Sequence, residues 1–326
     1  MINYLKKINL FYKNRNKIND DVLIIGRGRW SKIITNELII NFPRIKNIYI
    51  YSPNLKNTKI KNNKKIIFSN SLNYIKSKQI KHIIIANKNS EHLKYIQKFI
   101  KKDCYILSEK PLMVDQKNLT NLINKIKKNK SSVSIGMQYY YAFYLEYIKK
   151  KLIKSHKIKK IEINWFDKKN EVRNGLLKKH DLKLNFVEDI FYHFYSIFYV
   201  LLKIKNYSFQ PQNFIERAEK KIKFLVKDRF IITLNFSRFQ FQRQRLIKIY
   251  LYNGKELLIN FSDDKKLKIK LNNKPLKVPD FLMDRTLKFQ LFFFLNQKKN
   301  DKHEELNNIN NLKIFFKNLY LLKKQL

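Results

Sequence analysis

Gly26 and Gly28 stand two residues apart, directly after the apolar run Val22 to Ile25 and directly before a segment of helical pattern. Glycines at such a junction let the chain turn tightly and let a pyrophosphate approach the backbone, while the helix that begins there offers unpaired amides and the positive end of its dipole. The chain has only 5 glycines, so two of them at one junction carry weight that a bare Gly-x-Gly would not. Ser31 takes the place of a third fingerprint glycine, which predicts looser packing of the helix on its strand. At the end of the next apolar run, Ser52 stands where a carboxylate would select a ribose 2′-hydroxyl. Without that carboxylate, and with Arg27 and Lys56 near in sequence, the lean is to NADP, with NAD as the alternative. Much further along, Asp189 and His193 are four residues apart, which on a helix puts a carboxylate and an imidazole on one face. The imidazole can give or take a proton near neutrality, although such a pair standing alone is more often structural.

The elements that must position these groups follow from the hydrophobic pattern. Short apolar runs at Val22–Ile25, Ile48–Tyr51, Ile66–Phe68, Ile83–Ala86, Tyr105–Leu107 and Val133–Gly136 alternate with helical segments at Trp30–Ile40, Glu91–Lys101 and Gln116–Lys128. That alternation predicts a doubly wound parallel α/β unit over 21–137. Residues 138–326 change character. A helix at Tyr144–Ile153, a strand at Lys160–Phe166 and an apolar helix at Glu188–Leu202 lead to alternating segments from Phe224 to Val278, parted by Asn-Gly, Asp-Asp and Asn-Asn turns. These predict an open, mostly antiparallel sheet in an α+β domain for substrate binding and oligomerisation, closed by helices at Arg285–Leu295 and Asn310–Leu322. Residues 1–20 read as a basic N-terminal extension.

Composition narrows the function classes. Lys+Arg number 70 against 25 Asp+Glu, yet the excess is spread along every segment among Asn and Ile, as an AT-rich genome would produce. With no helix-turn-helix, zinc finger or aromatic RNA-binding motif, specific nucleic-acid binding is not expected. The most apolar stretch, Phe186 to Leu202, carries Glu188, Asp189 and His193, so no membrane span is expected and the chain reads as cytoplasmic. A single cysteine, Cys104, builds no disulfide framework or thiolate metal site within one chain and reads as a small apolar strand residue. No metal is expected.

Four ordered features resemble the glucose-fructose oxidoreductase, inositol dehydrogenase and rhizopine-catabolism family, Gfo/Idh/MocA, over nearly the whole chain from Asp21. They are Gly26-Arg27-Gly28-Arg29-Trp30, Ile84-Ile85-Ala86-Asn87 with His92, Ser108-Glu109-Lys110-Pro111, and Asp189-Ile190-Phe191-Tyr192-His193. The resemblance implies a nicotinamide-dependent oxidoreductase that moves hydride to or from a sugar-like or secondary-metabolite carbinol or carbonyl. It implies that Gly26, Arg27, Gly28, Arg29, Trp30, Ser52, Asn87, Glu109 and Lys110 hold the cofactor. It also implies a reactive group of Lys110, Asp189 and His193, with His193 handling the proton, Lys110 stabilising the substrate oxygen and Asp189 orienting either partner. Three departures touch the substrate side: Leu184 to Val187 replaces a glycine-rich approach, Ser196 a further aspartate, and Tyr140 an arginine.

Other polar residues carry plainer readings. His92 reads as a cap or packing contact near the cofactor, Trp165 as sheet core, and the segment with Asp167, Glu171, Arg173, Lys179, His180 and Asp181 as either a solvated loop or a route to substrate. A homo-oligomer, dimer or tetramer, is expected through an exposed face of the second sheet. The alternative to an enzyme is a catalytically silent relative that binds nucleotide as a regulatory or assembly module.

Overall fold

The computed structural model describes residues 4–54, 65–101, 103–153, 158–168, 172–173, 176–177, 184–202, 211–215, 220–226, 230–262, 267–284, 286–297, 308–309 and 312–325. The chain divides into two compact units, Met1–Tyr141 with Arg285–Phe316, and Ala142–Asp284 with Lys317–Leu326.

The first unit opens with α1 (Tyr4–Asn14), where the sequence analysis expects an extension. Its Tyr4, Ile8 and Phe11 recur at helical spacing and are buried, while its lysines face outward. Six strands then form one parallel sheet: β1 (Val22–Ile25), β2 (Ile48–Tyr51), β3 (Ile66–Ser69), β4 (His82–Ile85), β5 (Tyr105–Ser108) and β6 (Ser132–Ile135). Their order is β3-β2-β1-β4-β5-β6, so the chain reverses direction across the sheet between β1 and β4. Every position of β1, β2 and β4 is buried, as a parallel sheet covered on both faces requires. The helices between them are α2 (Arg29–Asn41), α3 (Leu72–Ser77), α4 (His92–Phe99) and α5 (Gln116–Lys128). Asp115 caps α5 by accepting the Asn118 amide at 2.7 Å, and Leu119, Leu122, Ile123 and Ile126 form its buried stripe.

In the second unit α6 (Phe143–Ile148) continues into a π-helical turn at Lys149–Ile153. Next come β7 (Ile158–Lys168), a small hairpin of β8 (Val172–Arg173) and β9 (Leu176–Leu177), and α7 (Phe186–Leu202). The sheet is completed by β10 (Pro211–Ile215), β11 (Lys220–Val226), β12 (Phe230–Gln240), β13 (Gln244–Leu251), β14 (Glu256–Asn260), β15 (Lys268–Leu271) and β16 (Lys274–Pro275). Its order is β10-β11-β12-β7-β13-β14-β15-β16, antiparallel except where β7 lies parallel to β12. β10 precedes the sheet start expected near Phe224, which falls within β11.

Burial alternates along β7 and β13, so Ile161, Ile163, Trp165, Ile247 and Ile249 share the covered face. α7 lies on that face, with Phe194 edge-on to Trp165 at 5.4 Å between ring centroids. The turns use the residues the sequence offers. Gly254 of the Asn-Gly turn has φ +79°, and Asn272 and Asn273 of the Asn-Asn turn take φ 48° and 63°, which asparagine tolerates best after glycine.

α8 (Thr286–Leu295) returns to the first unit, where Phe289 and Phe292 meet Phe11 of α1 at 5.0 and 5.3 Å. α9 (Lys313–Gln325) ends the fold, and its Lys323 pairs with buried Glu188 of α7 at 3.1 Å. Among the described residues no helix is long and apolar enough to cross a membrane.

Candidate functional site

The glycine turn is built as the sequence analysis expects. Gly26 has φ +119° and donates its amide to the Tyr51 carbonyl at 2.9 Å; a Cβ there would stand 2.6 Å from the Ala86 carbonyl oxygen, so no other residue fits. Gly28 caps α2 with extended backbone and brings no capping side chain, and a Cβ there would meet nothing within 4 Å. The first turn of α2 carries no acidic residue, so the positive end of the helix dipole is left without a carboxylate of its own, an arrangement that favours an anion. Ser31 does not loosen the packing: it is buried, and its hydroxyl donates to the Gly26 carbonyl at 2.9 Å, tying helix to turn.

Around this turn, groups from the carboxyl ends of β1, β4, β5 and β6 join one another. The Ala86 amide donates to Ile25, and the Asn87 side-chain amide donates to Glu91 at 2.9 Å. Buried His92 sets Nδ1 at 3.0 Å from the Pro111 carbonyl and Nε2 at 3.3 Å from the Asn87 carbonyl. Burial lowers its pKa against the upward pull of those carbonyls, and the neutral ring, with a single N–H, donates to one of the two carbonyls while packing against the other. That is the packing role expected of it. Lys110 and Pro111 are joined by a cis peptide bond.

Glu109 occupies the centre of the group. Its amide donates to the Ile85 carbonyl, and its carboxylate fills the place of a side chain at Gly136, where a Cβ would come within 2.9 Å of Oε2. Burial raises its pKa from 4.5 to about 7, with the Trp30 indole and the Lys110 ammonium pulling the other way. The Trp30 Nε1 is buried beside that carboxyl without closing a hydrogen bond of normal geometry. The structure thus brings Gly26, Gly28, Arg29, Trp30, Asn87, Glu109 and Lys110 to the carboxyl end of the sheet's central strands, with Arg27 exposed on the turn. Ser52, half-buried, follows β2 and donates its amide to Ser69 at 3.1 Å. Lys56 lies outside the described residues.

The remaining two expected catalytic groups belong to the second unit. Asp189 and His193 lie on α7, both half-buried, one turn apart as their spacing predicts. Asn185 sets the helix start, accepting the Val187 amide on Oδ1 and the Asp189 amide on its carbonyl. Ser196, standing where the resembled family has a second aspartate, is fully buried and donates to the carbonyls of Tyr192 and His193, so it serves the helix rather than a ligand. Tyr140 is likewise buried. The His193 imidazole stacks on the Trp165 indole, centroids 5.3 Å apart and planes 30° apart. Trp165 is core, as expected, and also the surface against which His193 is held.

Sequence reasoning missed what supports Trp165. Asp167 is not in a solvated loop: it is buried at the end of β7 and accepts a hydrogen bond from Arg245, whose guanidinium lies 4.1 Å from the Trp165 ring centroid. The only available signal was a charged residue at an inward position of each strand. Glu171, Lys179, His180 and Asp181 lie outside the described residues. Cys104 is buried, with burial raising its thiol pKa. Among the described residues no group of three or more His, Cys, Asp or Glu could hold a metal.

Residues 21–137 match the model of an oxidoreductase family with an NAD-binding Rossmann fold. Solved structures share the fold across most of the chain at low identity. A UDP-N-acetylglucosamine 3-dehydrogenase from Acidithiobacillus ferrooxidans matches at TM-score 0.69 and 13% identity, over 93% of this chain and 96% of its own. A myo-inositol dehydrogenase from Corynebacterium glutamicum matches at 0.67 and 14%, over 92% and 94%. A dehydrogenase from Clostridium difficile matches at 0.69 and 15%, over 94% and 100%. No curated protein matches by sequence.

Proposed function

We propose, from the match of residues 21–137 to the Gfo/Idh/MocA oxidoreductase family, that the chain transfers hydride between a nicotinamide dinucleotide and a carbinol or carbonyl carbon of a sugar-like or secondary-metabolite substrate. The observation that carries the reading is the Gly26 turn, whose close approach to Ala86 and open Gly28 cap set the N-terminus of α2 at the sheet's topological switch.

The residues present fit the cofactor. The α2 amides suit a pyrophosphate, and Asn87 Oδ1, buried with no partner among the described residues, is an acceptor for a sugar hydroxyl. Ser52 places no carboxylate against a 2′-phosphate, and exposed Arg27 can meet one, which favours NADP over NAD. When bound, the nicotinamide supplies the hydride acceptor or donor.

This chain's own side chains then manage the substrate oxygen and its proton. In oxidation, His193 accepts the hydroxyl proton as the carbon loses its hydride, and Lys110 hydrogen-bonds the same oxygen as its charge develops. Asp189, one turn before His193, orients the imidazole or a neighbouring hydroxyl. Reduction runs the same transfers backwards. A homo-oligomer formed through the second sheet's other face, which carries Glu162, Asn164, Lys248 and Tyr250, completes the proposal and is read by light scattering.

The test is to titrate NADP(H) and NAD(H) into the pure protein and screen polyols, sugars, nucleotide sugars and their keto forms by reduced-nicotinamide absorbance. Lys110→Ala should still bind cofactor, through the glycine turn and α2, and lose roughly 10²–10⁴ in turnover. Failure to bind either dinucleotide, or full turnover in Lys110→Ala, would end the reading.

A further inference from the structure

Beneath the helix that carries His193, the second unit holds a charged pair that the proposed reaction does not use. Trp165 is buried on β7, and Arg245 is its direct partner on β13. The Arg245 backbone is fixed at both ends, its amide donating to Ser262 Oγ and its carbonyl accepting from Phe261, each at 2.9 Å. The guanidinium lies over the indole, 4.1 Å from its centroid, and donates from Nη2 to Asp167, two residues along β7 and so on the same face as Trp165. The two charged side chains are 10% and 4% exposed. His193 stacks on that same indole, while Phe194 at 5.4 Å and Phe261 at 6.2 Å close in its remaining edges.

A buried ion pair is an expensive way to fill a core, since apolar residues of the same volume often serve as well or better. What an apolar pair lacks is direction. A guanidinium is planar, stacks flat on an aromatic face, and is fixed in rotation by its bond to a carboxylate. The indole is in turn a flat surface against the imidazole, whose χ2 torsion is intrinsically broad. We propose that Arg245, anchored by Asp167, is a positioning residue that clamps Trp165 and through it sets the orientation of the His193 ring for proton exchange with the substrate. The proposal rests on the role given to His193 above. Charged groups around the stack are Asp189 one turn earlier on α7, and Arg245 and Asp167 beside the shared indole. Misorienting an acid-base group costs rate and leaves substrate binding nearly untouched, so the signature is a fall in kcat with little change in KM.

The stack also gives a readout that needs no turnover. The chain has two tryptophans, and an imidazolium in contact with an indole quenches its fluorescence. In the full-length chain carrying Trp30→Phe, used for spectroscopy only, Trp165 emission should fall as pH drops through the His193 titration, and His193→Gln should abolish that step. Arg245→Lys keeps the ion pair and loses the flat stack, while the double variant Arg245→Met with Asp167→Leu removes both charges without stranding either. Each should at least halve the quenching step and, in the Trp30 background, lower kcat about tenfold at constant KM, with Arg245→Lys the milder. An unchanged quenching step and unchanged kcat in folded Arg245→Lys would overturn the proposal, as would a parent chain whose emission has no step sensitive to His193→Gln. Full turnover in His193→Gln, with the quenching steps as expected, would instead sink the catalytic reading on which the proposal rests.

Discussion

In the first unit the groups proposed to hold the dinucleotide are fixed by the main chain, whereas in the second His193 is fixed by other side chains. Gly26 is pressed against the Ala86 carbonyl, His92 spans two carbonyls, and Glu109 fills the space left by Gly136. His193 rests on an indole braced by an ion pair whose members are 78 residues apart. The first kind of site tolerates no change of backbone conformation but little depends on any one side chain. The second tolerates backbone drift and fails when one partner is removed, because a low-dielectric interior leaves the survivor unsolvated.

That contrast can be broken by substitution. Asp167→Ala strands the Arg245 guanidinium and should cost about 3–5 kcal/mol of stability, seen as an earlier urea midpoint. A loss below about 1 kcal/mol would mean that the pair is not the brace described. Gly26→Ala should act through backbone strain of about 1–3 kcal/mol and weaken dinucleotide binding by about a hundredfold. Calorimetric titration reads that affinity, and parent-like binding would show that the turn is not the cradle.

The pH dependence of the first unit sharpens the comparison. The folded chain holds the Glu109 proton more tightly than the unfolded chain does, with a pKa of about 7 against 4.5. The associated stability is fully present below about pH 4.5 and is lost as pH rises through about 7. For a half-buried carboxyl the change is about 1–2 kcal/mol. Glu109→Gln cannot ionise, so it should flatten the dependence of Tm on pH between 5 and 8; curves that stay parallel to the parent would refute the assignment. The smallest effect is expected of Ser31→Ala, which loses one hydrogen bond to the Gly26 carbonyl and about 1 kcal/mol, with cofactor affinity changed less than in Gly26→Ala.

Legibility in the sequence followed the same division. Gly26 and Gly28 were readable because a tight turn restricts residue type locally, and Asp189 with His193 because helical spacing is a short-range rule. The four-residue runs of β1, β2 and β4 announced a sheet buried on both faces. Ser31 was misjudged, since its hydroxyl makes up by hydrogen bonding for the space a glycine would have left. Residues 1–20 read as a basic extension, and the helical stripe of Tyr4, Ile8 and Phe11 within them gains its meaning from Phe289 and Phe292, which pack on Phe11.

By itself, then, the sequence determined the type of nearly every element, the one turn where glycine is obligatory and the helical face shared by Asp189 and His193, all consequences of covalent geometry acting over a few residues. Only tertiary structure decided that Arg245 faces Trp165, that Glu109 lies against Gly136 and that His92 joins Asn87 to Pro111. Those pairings depend on strand register and strand order, and a shift of one residue in register turns every inward side chain outward.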